Sequence, residues 1–100
     1  MNAFLRTVEF DAWLKALKDP RGKARIAARI RSAEAGNLGD CEPVGQGIWE
    51  MRIHTGPGYR VYFARRGEIV YILLCAGDKS TQARDIRRAK ALFDRLEDRP

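Results

Sequence analysis

The sequence predicts an α+β fold: an N-terminal helical hairpin packed on a small antiparallel sheet and followed by a C-terminal helix, in the order β-α-α-β-β-β-α. Three observations carry this. Apolar residues recur with a helical period in the first third of the chain and again at its end. Between them the period changes to two, as half-buried strands require. The strand-like runs are separated by Gly- and Pro-rich turn signals.

The elements follow in order. Ala3 to Val8 is short and mixed and reads as an edge strand. Phe10, Trp13, Leu14 and Leu17 fall on one helical face, with Thr7 placed to cap the helix and Asp11 in the first turn, where the macrodipole favours an acid. Asp19-Pro20 breaks this helix, and Pro20 suits the first turn of the next. The second helix has an apolar face of Ile26, Ala27, Ile30 and Ala33 and stops at Gly36-Asn37. Residues 37–47 show little periodicity and read as a loop. Trp49, Met51 and Ile53 then alternate with Glu50, Arg52 and His54. Past the Thr55-Gly-Pro-Gly58 turn, Tyr59, Val61 and Phe63 alternate with Arg60, Tyr62 and Ala64. Arg65-Arg66-Gly67 turns the chain again. Glu68 to Ala76 is apolar on both faces, which marks a central strand. The last helix buries Ile86, Ala89, Phe93 and Leu96. Trp13, Trp49, Phe63 and Phe93 lie on these apolar stripes and are assigned to the core.

One hundred residues make one domain, 1–100, of ordinary size. The longest unbroken apolar run, Ile69 to Ala76, falls far short of the ~20 residues a membrane span needs. The charged opening MNAFLRTVEFDAWL does not resemble a secretion signal. No membrane association is expected, and a cytoplasmic location fits two thiols, Cys41 and Cys75, without ligand spacing. No metal or cofactor is expected. The chain has 19 Lys and Arg against 13 Asp and Glu, a net charge of +6. A small Arg-rich domain of this kind suits a polyanion or an acidic partner. Arg21, Arg25 and Arg29 on the second helix could dock RNA, although a solvated helix face is the more ordinary explanation.

Strand parity sharpens this. If Trp49, Met51 and Ile53 share an inner face with Tyr59, Val61 and Phe63, then Arg52, His54, Arg60 and Tyr62 share the outer one. One register sets His54 opposite Arg60 and Arg52 opposite Tyr62; neighbouring registers shift the pairs and keep all four together. Lys79, after the last strand, can approach the same surface. Such a patch suits metal-free RNA cleavage by the 2′-hydroxyl, which needs in-line positioning, cations around the phosphate, and proton transfers. In this reading Arg52 and Arg60 fork onto the phosphate. Tyr59 or Tyr62 stacks on a base. His54, the single His, shares proton transfer with Lys79, Tyr62 or a group held by the nucleotide. The competing reading is the solvated outer face that most antiparallel sheets have.

Five runs also resemble one family. They are FDAWLKAL (Phe10–Leu17), KARIAAR (Lys23–Arg29), PVGQGIWEMRIH (Pro43–His54), GPGYRVYF (Gly56–Phe63) and LLCAGDKSTQ (Leu73–Gln82). They are similar to the addiction-module killer proteins, HigB-like members of the RelE/ParE superfamily of type II toxins. The resemblance implies the same helix-on-sheet fold and cleavage of mRNA in the ribosomal A site. It also implies a cognate helix-turn-helix antitoxin as partner, with operator DNA bound only through that antitoxin. Arg60 matches the strand arginine that contacts the scissile phosphate in RelE-like toxins. Arg52 matches a neighbouring basic position, and Lys79 lies near the C-terminal active-site segment. The sequence departs from the family in lacking a Tyr or His after Tyr71 and in having Arg52 and His54 where a lysine cluster is usual. ParE-like inhibition of DNA gyrase, and a non-toxic role as antitoxin-binding co-repressor, remain alternatives.

Overall fold

The computed structural model describes residues 3–67 and 70–97. The order is β1 (Ala3–Arg6), α1 (Val8–Ala16), α2 (Pro20–Glu34), β2 (Cys41–Gly45), β3 (Ile48–Ile53), β4 (Tyr59–Arg66), β5 (Val70–Asp78), a 3-10 turn (Lys79–Thr81) and α3 (Gln82–Glu97). The α+β class and the placement of all three helices match the sequence expectation. Glu68 and Ile69, expected to open the last strand, lie outside the described residues.

Two features of the sheet differ from that expectation. Five strands form it, in the order β1-β5-β4-β3-β2. The extra strand, β2, lies within the segment read as a loop. It pairs with β3 through Cys41–Met51, Glu42–Glu50 and Pro43–Trp49, then bulges before Gly45–Ile48. Pro43 lacks a backbone donor and is tolerated because β2 is an edge. The hairpin closes through Gly45, Gln46 and Gly47, all at positive φ. The sheet is also mixed: β1 runs parallel to β5, while β2 to β5 form an antiparallel meander.

Local chemistry fixes the helices where the sequence indicates. The Thr7 hydroxyl accepts the Phe10 N–H at 3.1 Å and donates to the Leu74 carbonyl at 2.7 Å, so one side chain caps α1 and ties it to β5. Asp19 caps α2 by accepting the Gly22 N–H at 3.0 Å. Both helices lie on the face formed by Met51, Ile53, Tyr59, Val61, Phe63 and Leu73, where Phe10, Ile26 and Ile30 complete a buried cluster. Arg29 anchors α2 to the edge of the sheet: its guanidinium donates to the carbonyls of Leu38 at 3.0 Å and of Arg52. The Gly39 backbone passes so close that a Cβ there would lie 2.7 Å from Arg29 Nη2.

The opposite face is only partly open, which corrects the expected exposed surface. The apolar stripe of α3 needs a partner, and the hairpin already fills the other face. Ala89 and Leu92, with Ile86, Phe93 and Leu96, therefore pack on Ile48, Tyr62, Ala64, Ile72 and Leu74. A register shift between Tyr62 and Phe63 leaves Leu74 as an extra residue on β5. Leu74 and Cys75 thus both face α3, while Leu73 and Ala76 face the hairpin. This is how β5 comes to be apolar on both sides. Where α3 begins, Gly77 is obligatory: a Cβ there would meet Asp85 Oδ2 at 1.9 Å.

Candidate functional site

Arg52 and Arg60 are direct cross-strand partners, as are Glu50 and Tyr62. The register is shifted two residues from the one that would set His54 opposite Arg60, and the parity holds. All four residues lie on the α3 face, with very different environments. Tyr62 is fully buried, and Glu50 is 2% exposed. The Glu50 carboxylate accepts from Tyr62 OH at 3.0 Å and Gln82 Nε2 at 2.7 Å, and meets Arg52 Nε at 3.3 Å. Burial, reinforced by this carboxylate, pushes the Tyr62 phenol far above its ordinary range.

Arg52 is committed to the same network. Its other arm pairs with Glu42, so one guanidinium bridges two glutamates that stand directly opposite each other on β2 and β3. Without it, two like charges would face one another across a strand pair. The Glu42 hydrogen bond, the largest cause, holds the guanidinium pKa above its already high ordinary value.

Arg60 differs. It is half-buried; its Nε, like that of Arg52, is shielded from solvent without a hydrogen bond, but unlike Arg52 it makes no ion pair among the described residues. It stands opposite Gly77. Two residues beyond, Lys79 is exposed, with its Cβ close to the Gly58 backbone in the β3–β4 turn. Arg60 and Lys79 therefore approach the same end of the sheet.

His54 lies past the end of β3, and its imidazole leaves the sheet face. Nε2 meets Asp40 Oδ2 at 2.6 Å, with the His side chain 70% exposed. The hydrogen bond from His54, the largest cause, holds the Asp40 carboxyl below its ordinary range. Asp19, Arg21, Arg25, His54, Thr55 and Gly56 line a cleft of about 440 Å³ between the start of α2 and the β3–β4 turn. The structure thus joins His54 to Arg21 and Arg25, residues that the sequence alone separated into a sheet patch and a helix face.

The remaining candidates are placed elsewhere. Tyr59 is 4% exposed on the hairpin face, edge-on to Trp13, with its OH donated to Asp19 Oδ2 at 2.5 Å. Neither Tyr59 nor Tyr62 presents an exposed ring for base stacking, which corrects that expectation: each fills a core on its own side of the sheet. Arg29 is held by backbone carbonyls and acts as a brace. Both thiols are free. Burial raises Cys41 and pushes Cys75 up to about 12, so neither is primed as a nucleophile. Among the described residues, no group of three His, Cys, Asp or Glu could hold a metal, and no helix is long and apolar enough to cross a membrane. A cavity of about 320 Å³ between the start of α1 and the end of α3 is lined by Thr7, Val8, Glu9, Leu92, Arg95 and Leu96 and holds none of the candidates.

A helical hairpin and a C-terminal helix lie on either side of a small mixed sheet, and the family to which the chain belongs is a toxin-like one of the RelE/HigB type. The chain belongs to the phage-derived Gp49-like family (DUF891), whose profile matches residues 12–96. It is 51% identical over 90 residues to an uncharacterized protein of Haemophilus influenzae, a match covering 90% of this chain and 91% of the other. The family is of the toxin type found in toxin-antitoxin modules, which implies an antitoxin as partner.

Proposed function

We propose that this chain is a HigB-like toxin that cleaves mRNA on the ribosome by directing the RNA 2′-hydroxyl onto the adjacent phosphorus. The observation that carries the reading is the uncommitted guanidinium of Arg60. A buried polar atom left without a partner costs about 1–3 kcal/mol, and Glu42, Glu50 and Arg52 show that this face can pair its charges. A half-buried cation left unpaired beside such a network is explained by an anion that arrives later. A phosphodiester fits a guanidinium fork.

In this reaction the 2′-oxygen bonds to phosphorus and gives up its proton, and the 5′-oxygen leaves with a proton. The products are a 2′,3′-cyclic phosphate and a free 5′-hydroxyl. Arg60 and Lys79 stabilise the charge that builds on the non-bridging oxygens. His54, oriented by Asp40, is the candidate for proton transfer. Arg52 acts mainly by bridging Glu42 and Glu50.

Expression should arrest growth, with new 5′ ends inside translated messages. Arg60→Ala should relieve arrest and remove the new ends while leaving the melting temperature within a few degrees of wild type. Arrest with intact messages and altered plasmid supercoiling would replace this reading with gyrase inhibition. Harmless expression together with antitoxin binding would leave a co-repressor.

A further inference from the structure

We infer that the cleft at the start of α2 is a second phosphate seat, taking an RNA phosphate that flanks the one to be cut. The inference deepens the RNA-cleaving reading and rests on it for the identity of the ligand. Its chemistry comes from the cleft itself.

Two guanidinium side chains, from Arg21 and Arg25, line the cleft together with His54 and Thr55. The carboxylate that lines it, Asp19, is already occupied: Oδ1 accepts the Gly22 N–H and Oδ2 accepts the Tyr59 hydroxyl. Arg21 and Arg25 are exposed and appear in no ion pair among the described residues. His54 has Nε2 fixed on Asp40, so its ring borders the cleft and reports on a ligand held there by the two arginines. Gly56, at φ +57°, has only Asp19 and Tyr59 atoms near the position of a Cβ, so the mouth carries no side chain there. At about 440 Å³ the cleft falls within the ~300–1,000 Å³ usual for small-ligand sites. It can hold one nucleotide with its phosphate against the two arginines.

The test uses the free full-length chain, without ribosomes, at low ionic strength. The probe is a trinucleotide with 2′-O-methyl sugars, which can bind but lacks the attacking hydroxyl. Titration should shift the His54 ring resonances in the wild type. Arg21→Ala/Arg25→Ala should weaken binding at least tenfold, and Arg31→Ala, an exposed cation farther along the same helix, should leave it within twofold. Unchanged affinity in the double variant, or no His54 shift in the wild type, would overturn the seat. So would inorganic phosphate at equal concentration producing the full shift, since the cleft would then read a bare anion only. Because nothing is cleaved in this assay, its failure leaves the Arg60 growth experiment standing, and the converse also holds.

Discussion

At the scale of single residues, the α3 face shows how two cations in matching positions acquire different roles. Arg52 and Arg60 are cross-strand partners, but among the described residues only Arg52 pairs with carboxylates: Glu50, two residues before it on β3, and Glu42, opposite Glu50 on β2. Glu50 is the centre of that group, satisfied by Tyr62, Gln82 and Arg52. Tyr62 is therefore a structural donor. Tyr62→Phe keeps the ring and removes one buried hydrogen bond, which should cost about 1 kcal/mol in urea unfolding. Growth arrest should persist. Loss of arrest in a variant that remains folded would restore Tyr62 to the RNA-contacting surface. The sequence showed that these side chains share a face, since parity alone decides that. It could not show which cation would be neutralised, because that depends on β2, whose Glu42 sits in a segment without visible period.

At the scale of elements, the start of α2 is fastened to β4 by one side chain. Asp19 caps the helix through Oδ1 and accepts Tyr59 OH through Oδ2. That hydrogen bond, the largest cause, pushes the Tyr59 phenol up to about 12 and draws Asp19 below its ordinary value. The signs are opposite on the pH axis. The Tyr59 contribution is complete below about pH 10, the phenol's ordinary value, and is lost as pH rises through about 12. The Asp19 contribution is complete above its ordinary value of 3.8 and is lost as pH falls below it. Tyr59→Phe should therefore be about 1 kcal/mol less stable than wild type at neutral pH, and the difference should close between pH 10 and 12. A constant difference across that range would remove this hydrogen bond from the account. The helix start was legible, since Pro20 suits a first turn; the cap by Asp19 and its second partner, forty positions along the chain, were not. The same contrast applies to the strands. β3 and β4 announce themselves by strict alternation, whereas β2 is an edge strand containing Pro43 and closed by Gly45 and Gly47, so its pattern is broken where it would be read. The Gly-Gln-Gly turn directly before Ile48 was the available hairpin signal.

At the scale of the whole molecule, charge is arranged by end. α2 and α3 both begin where β3 ends, β4 begins and β5 ends. Arg21, Arg25, Arg60 and Lys79 lie around that end. Its acids are largely committed: Asp19 to the cap of α2, Asp78 to the turn before α3, Asp85 to Thr81, and Asp40 to His54. These carboxylates are hydrogen-bonded within the fold, whereas Arg21, Arg25, Arg60 and Lys79 make no ion pair among the described residues, an asymmetry that a net charge of +6 conceals. The consequence can be measured as a salt dependence. Each phosphate neutralised on a single strand contributes a slope of about −0.7 to log affinity against log salt. With Arg21 and Arg25 on one phosphate and Arg60 and Lys79 on the other, the methylated RNA probe should bind the wild type with a slope of about −1.4. Arg21→Ala/Arg25→Ala should reduce that to about −0.7, whereas Arg87→Ala, on the exposed side of α3, should leave it unchanged. Equal slopes for wild type and double variant would mean that the RNA follows the sheet face alone. A slope lowered as much by Arg87→Ala would mean that binding reflects overall charge, with no preferred end.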